Sequence, residues 1–179
     1  MATLKVSDLK KELKELDQKE LIQLITELYK NSKEVKKYLS TMFLGEEAIE
    51  DLYEKTKKAI KDEFFPERGF GKLRLAEAKK AITTFKKITN DEIKTMDLMI
   101  FYVEIGTEFT VTYGDINERF YSSMESMYEK VLTSCNEEMF TFFNDRLLGI
   151  LEASNEIGWG YPDSLNEIYY SNAPFIEED

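Results

Sequence analysis

The stretch DLMIFYVEIGTEFTVTY, residues 97–113, decides the fold class of this 179-residue chain. Six apolar residues follow one another without interruption from Leu98 to Val103, so a helix here has almost no polar face. A helix that is apolar on nearly all sides is typical of one surrounded by other helices. Its FTVTY end alternates as a strand does, but no turn residue separates it from the helical pattern. We therefore predict one central helix from about Asp91 to Tyr113.

Helical periodicity and helix-start signals flank this central segment on both sides. Asp17 with Glu20 has the spacing of a capping box, and so has Asp115 with Glu118. The other polar residues predicted to cap helix starts are Ser7, Ser32, Asn90 and Asn136.

Glycine and proline are rare, with eight and three residues, so the connections between helices are predicted to be short. The pattern predicts an all-α fold, a single domain of seven to nine antiparallel helices. The arrangement is either a bundle or a short stacked array of helical hairpins. We expect the domain to cover residues 1–170 and an acidic C-terminal tail to cover residues 171–179.

Composition excludes several classes of function. The formal net charge of -11 disfavours binding to a nucleic-acid backbone, and the absence of histidine excludes imidazole bases and imidazole metal ligands. The longest apolar run is far shorter than the roughly 20 residues of a membrane span. A single cysteine, Cys135, and a start without a signal-peptide pattern favour the cytoplasm.

Charge is distributed unevenly along the chain. Residues 1–90 contain 20 Lys and Arg against 16 Asp and Glu, whereas residues 91–179 contain 4 against 19. One interpretation is that the two halves attract each other within the fold. The alternative is an acidic surface that binds a basic partner.

Three carboxylates lie on one stripe of the central segment, because Asp97, Glu104 and Glu108 are spaced by seven and four residues. A buried carboxylate costs several kcal/mol unless it is paired, protonated or bound to a cation. The first interpretation is internal pairing with Lys72, Arg74 or Lys79. The alternatives are a divalent-metal site, for which Mg²⁺ or Mn²⁺ suit carboxylate oxygens, and an exposed stripe.

The segment FPERGFGKLR, residues 65–74, combines two glycines with Arg68, Lys72 and Arg74. A flexible loop before a helix start can bind an anion through backbone N–H groups, but no known phosphate-binding spacing is present. A structural turn with internal ion pairs is the other interpretation. In that case Arg74 is predicted to pair with Glu104 or Glu108.

The turn GWGY, residues 158–161, contains the only tryptophan of the chain, Trp159. Flanking glycines allow unusual backbone angles, and a ring held in this way either fills the core or lines a binding groove. Core filling is the interpretation we favour. Tyr113 and Tyr161 belong to a tyrosine-rich second half that indicates an interface or a core with a wet edge.

Several stretches of the chain resemble a family of bacterial proteins that is known only as a domain of unknown function. They are FFPERGFGKLRLAEAKKAI (64–82), DLMIFYVEIGTEFTVTYGD (97–115), FYSSMESMYEK (120–130) and IGWGYPDSLNEIYY (157–170). The segment DLKKELKELDQKELIQLITELYK (8–30) extends the resemblance over nearly the whole chain. The resemblance implies a small bacterial intracellular protein, and it brings no catalytic residue, substrate or cofactor with it.

These observations favour a non-enzymatic cytoplasmic protein-interaction module without a cofactor, whose ligand is a protein segment. The candidate binding residues are Arg68, Lys72, Arg74, Glu104, Glu108, Tyr113, Trp159 and Tyr161. The alternative is a divalent-metal-dependent hydrolase or a binder of a small anionic ligand, with Glu104, Glu108 and Asp97 as metal ligands. Neither a nucleic acid nor a membrane is expected as a partner, and a homo-oligomer is a further alternative.

Overall fold

The computed structural model describes residues 3–172, and this part of the chain contains helices and no strand. The helices within this range are α1 (Val6–Glu15), α2 (Gln18–Asn31), α3 (Lys33–Leu44), α4 (Glu46–Phe64), α5 (Leu75–Thr89), α6 (Glu92–Tyr113), α7 (Glu118–Ser134), α8 (Glu137–Ser154) and α9 (Tyr161–Asn172). The predicted all-α class and the predicted number of helices are confirmed. FTVTY is the last part of α6, as its continuous helical pattern predicts.

The chain divides into two compact units, Met1–Ile49 and Glu50–Asp179, and most contacts between residues lie within one unit or the other. In the smaller unit α2 lies against α3. The predicted capping box opens α2, since Asp17 accepts from the Glu20 N–H and the Glu20 carboxylate accepts from the Asp17 N–H, each at 2.8 Å. Ser32 caps α3, and Gly45 ends it with a φ of 65°. Thr41 is the one buried residue of α1, α2 and α3.

The larger unit is built around α6, which contacts α5, α7 and α8, while α9 contacts α7 and α8. α6 buries side chains on all sides, as its sequence predicts, and Leu98 and Ile100 are completely inaccessible to solvent. Full burial of such a side chain stabilises the fold by roughly 1.5–3 kcal/mol. The buried Tyr102 hydroxyl has a partner in Ser123, at 2.8 Å. The core of this unit therefore combines close apolar packing with satisfied hydroxyl groups.

Two of the predicted caps in this unit are wrong. Asn117, and not Asp115, caps α7, because its side chain accepts from the Phe120 N–H at 3.1 Å. Asn90 ends α5 in a left-handed conformation with a φ of 52°, while Asp91 caps α6. Asn136 caps α8 as predicted.

The predicted cap at Ser7 is also wrong. Ser7 lies inside α1, whose cap position is occupied by Lys5. The predicted tail, residues 171–179, shares its first two residues with α9, and its remainder lies outside the described residues. Among the helices of residues 3–172, none is both long enough and apolar enough to cross a membrane.

Candidate binding site

Asp97 and Glu104 of α6 converge on one cation, Arg146 of α8. The guanidinium donates from Nε and Nη2 to the two oxygens of Glu104, each at 2.7 Å, and from Nη1 to Asp97. The two carboxylates lie seven residues apart, and therefore on the same side of α6 two turns from each other. The fork of the guanidinium matches this spacing, so one side chain holds both acids.

The network continues from Asp97 to α4. The Tyr53 hydroxyl donates to the second oxygen of Asp97, and Lys57 Nζ donates to the Tyr53 hydroxyl oxygen at 3.3 Å. Lys57 also lies 5.0 Å from the centre of the Phe101 ring. Burial, followed by the hydrogen bond to Asp97, raises the pKa of Tyr53 well above its usual value, so this hydroxyl stays protonated.

Arg146 stays charged beside the two acids and balances one of their two negative charges. Burial alone would lower the pKa of its guanidinium, but the hydrogen bonds and charges of Glu104 and Asp97 more than reverse that effect. The structure thus supports internal pairing of these acids but corrects the partner, which is Arg146 and not Lys72, Arg74 or Lys79. The signal that sequence reasoning missed is that Arg146 is the only basic residue of α8.

An open groove of about 500 Å³ begins beside this network, between α6 and α8. Its lining residues are Glu104, Thr107, Glu108, Val111, Arg146, Gly149, Ile150 and Ala153. A Cβ added to Gly149 would meet no atom within 4 Å, so the missing side chain leaves part of the groove empty. Glu108 is exposed at the edge of the groove, and within residues 3–172 its carboxylate forms no ion pair. The groove therefore combines an apolar floor with one free negative charge.

The loop between α4 and α5 is held by a different ion pair. Buried Glu63 accepts from Arg74 Nε at 3.0 Å, from Nη2 at 2.6 Å and from the Arg74 backbone N–H at 3.1 Å. The predicted pairing of Arg74 with Glu104 or Glu108 is wrong, because the sequence does not reveal that the loop folds back on the end of α4. Hydrogen bonds from Arg74 lower the pKa of Glu63, more than burial raises it. Arg68 and Lys72 lie exposed on the same loop.

Trp159 stands at the surface with 61% of its area exposed, so the favoured prediction that it fills the core is wrong. Its backbone has a φ of 63°, a left-handed conformation that costs a non-glycine residue free energy. The ring stacks on Tyr121 of α7, with 6.4 Å between ring centres. The Trp159 backbone is thus strained although its ring is mostly exposed to solvent.

Asp115, which lies 43 residues before Gly158 in the sequence, holds the turn that contains Trp159 in place. One of its oxygens accepts from the Tyr121 hydroxyl at 2.9 Å and from the Gly158 N–H at 3.3 Å. A Cβ on residue 158 would lie 2.6 Å from the other oxygen, so any larger residue there would push the Asp115 carboxylate out of its place. Burial and the hydrogen bond to Asp115 raise the pKa of Tyr121 to about 12. Asp115 is therefore a clamp between two loops, which explains why it does not cap α7.

The two tyrosines of the predicted site have different surroundings. Tyr161 is fully buried, and its hydroxyl lies 3.0 Å from that of Thr107, which lines the groove. Tyr113 is exposed at the end of α6, with its ring centre 4.8 Å from that of Phe109. Tyr161 thus supports the floor of the groove from below, whereas Tyr113 offers a free face.

The structure brings together only part of the predicted site. Glu104 and Glu108 lie in the groove, and Tyr161 touches its floor, whereas Arg74 belongs to the loop that Glu63 holds. Metal ligands are not assembled either: no group of three Asp, Glu, Cys or His side chains that suits a metal ion occurs in the described range. Burial also raises the pKa of the Cys135 thiol, the opposite of what a reactive thiolate needs.

The model of a protein family described as a family of unknown function, DUF6155, matches residues 4–172. No curated protein and no solved structure matches the chain.

Proposed function

The chain belongs to this family of unknown function, DUF6155, and from that premise we propose that it is a protein-interaction module. Its ligand is a basic protein segment that places an apolar side chain in the groove between α6 and α8. The observation that carries the proposal is the unpaired, exposed Glu108 beside an open apolar floor.

Charge supports a basic ligand. The described parts of α6 and α8 contain a single cation in the groove, Arg146, and Asp97 and Glu104 already occupy it. A Lys or Arg of an incoming segment therefore meets Glu108 without competition from a protein cation at the groove. Across the chain from residue 91 onward acids outnumber bases by 19 to 4, so a basic segment is also attracted from a distance.

Shape supports a short apolar anchor next to that cation. Gly149 and Ala153 are small, so one face of α8 forms a shallow floor between Val111 and Ile150. A Leu, Ile or Met side chain laid on this floor loses its apolar surface to the protein, as anchors of helix-in-groove and extended-peptide ligands do. We place the module in the cytoplasm, where a free thiol such as that of Cys135 persists. No observation in the described residues favours the metal-dependent alternative over this binding role.

Selection from a displayed peptide library tests the proposal. We expect the wild-type chain to enrich peptides in which Lys or Arg neighbours Leu, Ile or Met. A synthetic peptide made from the enriched sequence should lose more than tenfold in affinity, by isothermal titration calorimetry, with Glu108→Lys or with Gly149→Leu, which fills the floor.

Glu129→Lys is the matched control, because Glu129 is an exposed acid of α7 outside the groove and its replacement changes net charge by the same amount. Affinity should change less than threefold in this variant. A library that enriches no basic peptide contradicts the proposed ligand, and an enriched peptide that binds Glu108→Lys and Gly149→Leu normally contradicts the proposed site.

A further inference from the structure

The helices α2 and α3 carry apolar side chains that their own unit leaves uncovered. Together they expose seven large apolar residues, Ile22, Ile25, Leu28, Tyr38, Met42, Phe43 and Leu44. Single exposed apolar residues are ordinary, but a group of this size on one pair of helices marks an interaction surface. We name this pair, residues 18–44, the apolar hairpin.

Three of these exposed side chains, Ile25, Phe43 and Leu44, line a depression. An open groove of about 330 Å³ runs between α2 and α3, lined by Ile25, Thr26, Tyr29, Leu39, Ser40, Phe43 and Leu44. Phe43 stands beside it with 77% of its surface exposed. A protruding ring next to a groove is the arrangement that lets two identical surfaces interlock, each ring entering the groove of the other copy.

The area approaches what a stable pair needs. The seven side chains, each 46–77% exposed, offer on the order of 700 Å², against the roughly 800 Å² that each partner buries in a standard interface.

Charge identifies which partner suits this surface. Residues 1–49 contain nine Lys and Arg and nine Asp and Glu, so the unit that holds the apolar hairpin is formally neutral. Residues 50–179 contain 15 against 26, so the whole net charge of -11 lies there. Two copies of the chain therefore repel each other least when they meet through their neutral units, and a strongly basic or acidic partner has no net charge to attract it there.

From exposure, shape, area and charge we infer that the chain self-associates, with the apolar hairpin of one copy packed against that of a second copy. The interface is isologous, and the four helices α2 and α3 of both copies form one bundle. The apolar hairpin shares no residue with the groove between α6 and α8, so the inference does not rest on the proposed binding of a basic segment.

Sedimentation velocity of the full chain over a wide range of concentration tests the inference. We expect the wild-type protein to shift from monomer to dimer as concentration rises. Phe43→Asp should weaken dimerisation more than tenfold, because it places a charge in a dry interface. The matched control is Phe142→Asp: Phe142 is 72% exposed on α8, and its replacement removes an equal ring and adds an equal charge. It should leave the dimer intact.

Added salt separates self-association from binding at the other surface. Salt screens the repulsion between the acidic parts of two copies, so the dimer should strengthen as sodium chloride rises. A wild-type chain that stays monomeric at every concentration overturns the inference, and so does a dimer that Phe43→Asp does not weaken. Circular dichroism of Phe43→Asp should give wild-type helicity. If this variant loses helicity, the inference is tested by the mass of the wild-type protein at different concentrations of protein and salt.

Discussion

Helices α2 and α6 are both regular and both rich in apolar residues, yet their surroundings differ completely. α6 buries twelve of its 22 residues, whereas α2 buries none of its 14. α2 has its apolar residues on one stripe, and its neighbour α3 leaves Ile22, Ile25 and Leu28 of that stripe exposed, while α6 is apolar all around and is covered by several helices. The comparison teaches that an apolar stripe on one side of a helix does not determine which element packs against it. A helix that is apolar on all sides, in contrast, has to lie at the centre of its unit.

The largest expected effect of this difference is on amide hydrogen exchange. Amides of α6 should exchange only when the unit around it unfolds, at a cost of about 5–15 kcal/mol for a typical domain. Amides of α2 should exchange by local opening that costs far less, when the protein is dilute enough to be monomeric. Mass spectrometry of exchanged peptides measures both in one sample. If the amides of α2 and α6 exchanged at equal rates, the proposed difference between the two helices would be wrong.

Truncation of side chains should show the same contrast on a smaller scale. Leu98→Ala, in the centre of α6, removes a completely buried side chain and should lower the free energy of unfolding by about 3 kcal/mol. Ile25→Ala, at a site on α2 that is 49% exposed, should cost less than about 1 kcal/mol in the monomer. Urea unfolding at low protein concentration checks both variants. A cost for Ile25→Ala equal to that of Leu98→Ala would mean that α2 is covered after all.

The charged network on α6 should account for a somewhat smaller share of stability. Arg146→Met leaves Asp97 and Glu104 half-buried without their cation, and should lower the free energy of unfolding by about 2 kcal/mol. Adding Asp97→Asn and Glu104→Gln to that variant should restore most of the loss, because no unpaired charge is left. Arg119→Met, at an exposed site on α7, should have no measurable effect in the same urea titration. A triple variant as unstable as Arg146→Met alone would contradict this account.

The smallest effect is expected from the loop that Glu63 holds, and it should depend on pH. Arg74 lowers the pKa of Glu63 in the folded chain below the ordinary value of 4.5. As pH falls, Glu63 is therefore protonated in the unfolded chain before it is protonated in the folded chain. The Glu63–Arg74 pair stabilises the fold above the ordinary pKa of Glu63, and this contribution is lost as pH falls through the lower pKa of the folded chain.

Thermal melts of Glu63→Gln and the wild type should accordingly differ most near neutral pH and converge in acid. A difference in melting temperature that stays constant from neutral to acid pH would show that the pair contributes no pH-dependent stability.

Several local features of the fold follow from the sequence, whereas the pairing of distant positions does not. The caps at Asp17, Ser32 and Asn136 act over three residues, so spacing alone predicts them. The pairing of Glu104 with Arg146 joins positions 42 residues apart, and its partner is set by how α8 packs on α6. Spacing along one helix shows that two acids share a face and cannot show which cation reaches them.

The same limit explains the outcome for Trp159 and Asp115. Asp115 has the spacing of a capping box with Glu118, but it bonds instead to Gly158, 43 residues away. That long-range contact fixes the turn and holds the indole ring outward. A hydrophobic side chain between two glycines predicts an unusual backbone, as the φ of 63° at Trp159 bears out, and leaves open which way the ring points.

The outward ring also determines how the protein behaves in a spectrometer. Trp159 is the only tryptophan of the chain, and much of its indole faces water in the folded state. Its emission maximum should already lie near that of a solvated indole, so unfolding shifts the fluorescence spectrum little. The stacked Tyr121 ring lies within range for energy transfer to the indole, 6.4 Å away. Opening of the Asp115 clamp should therefore lower the part of the tryptophan emission that is sensitised by Tyr121.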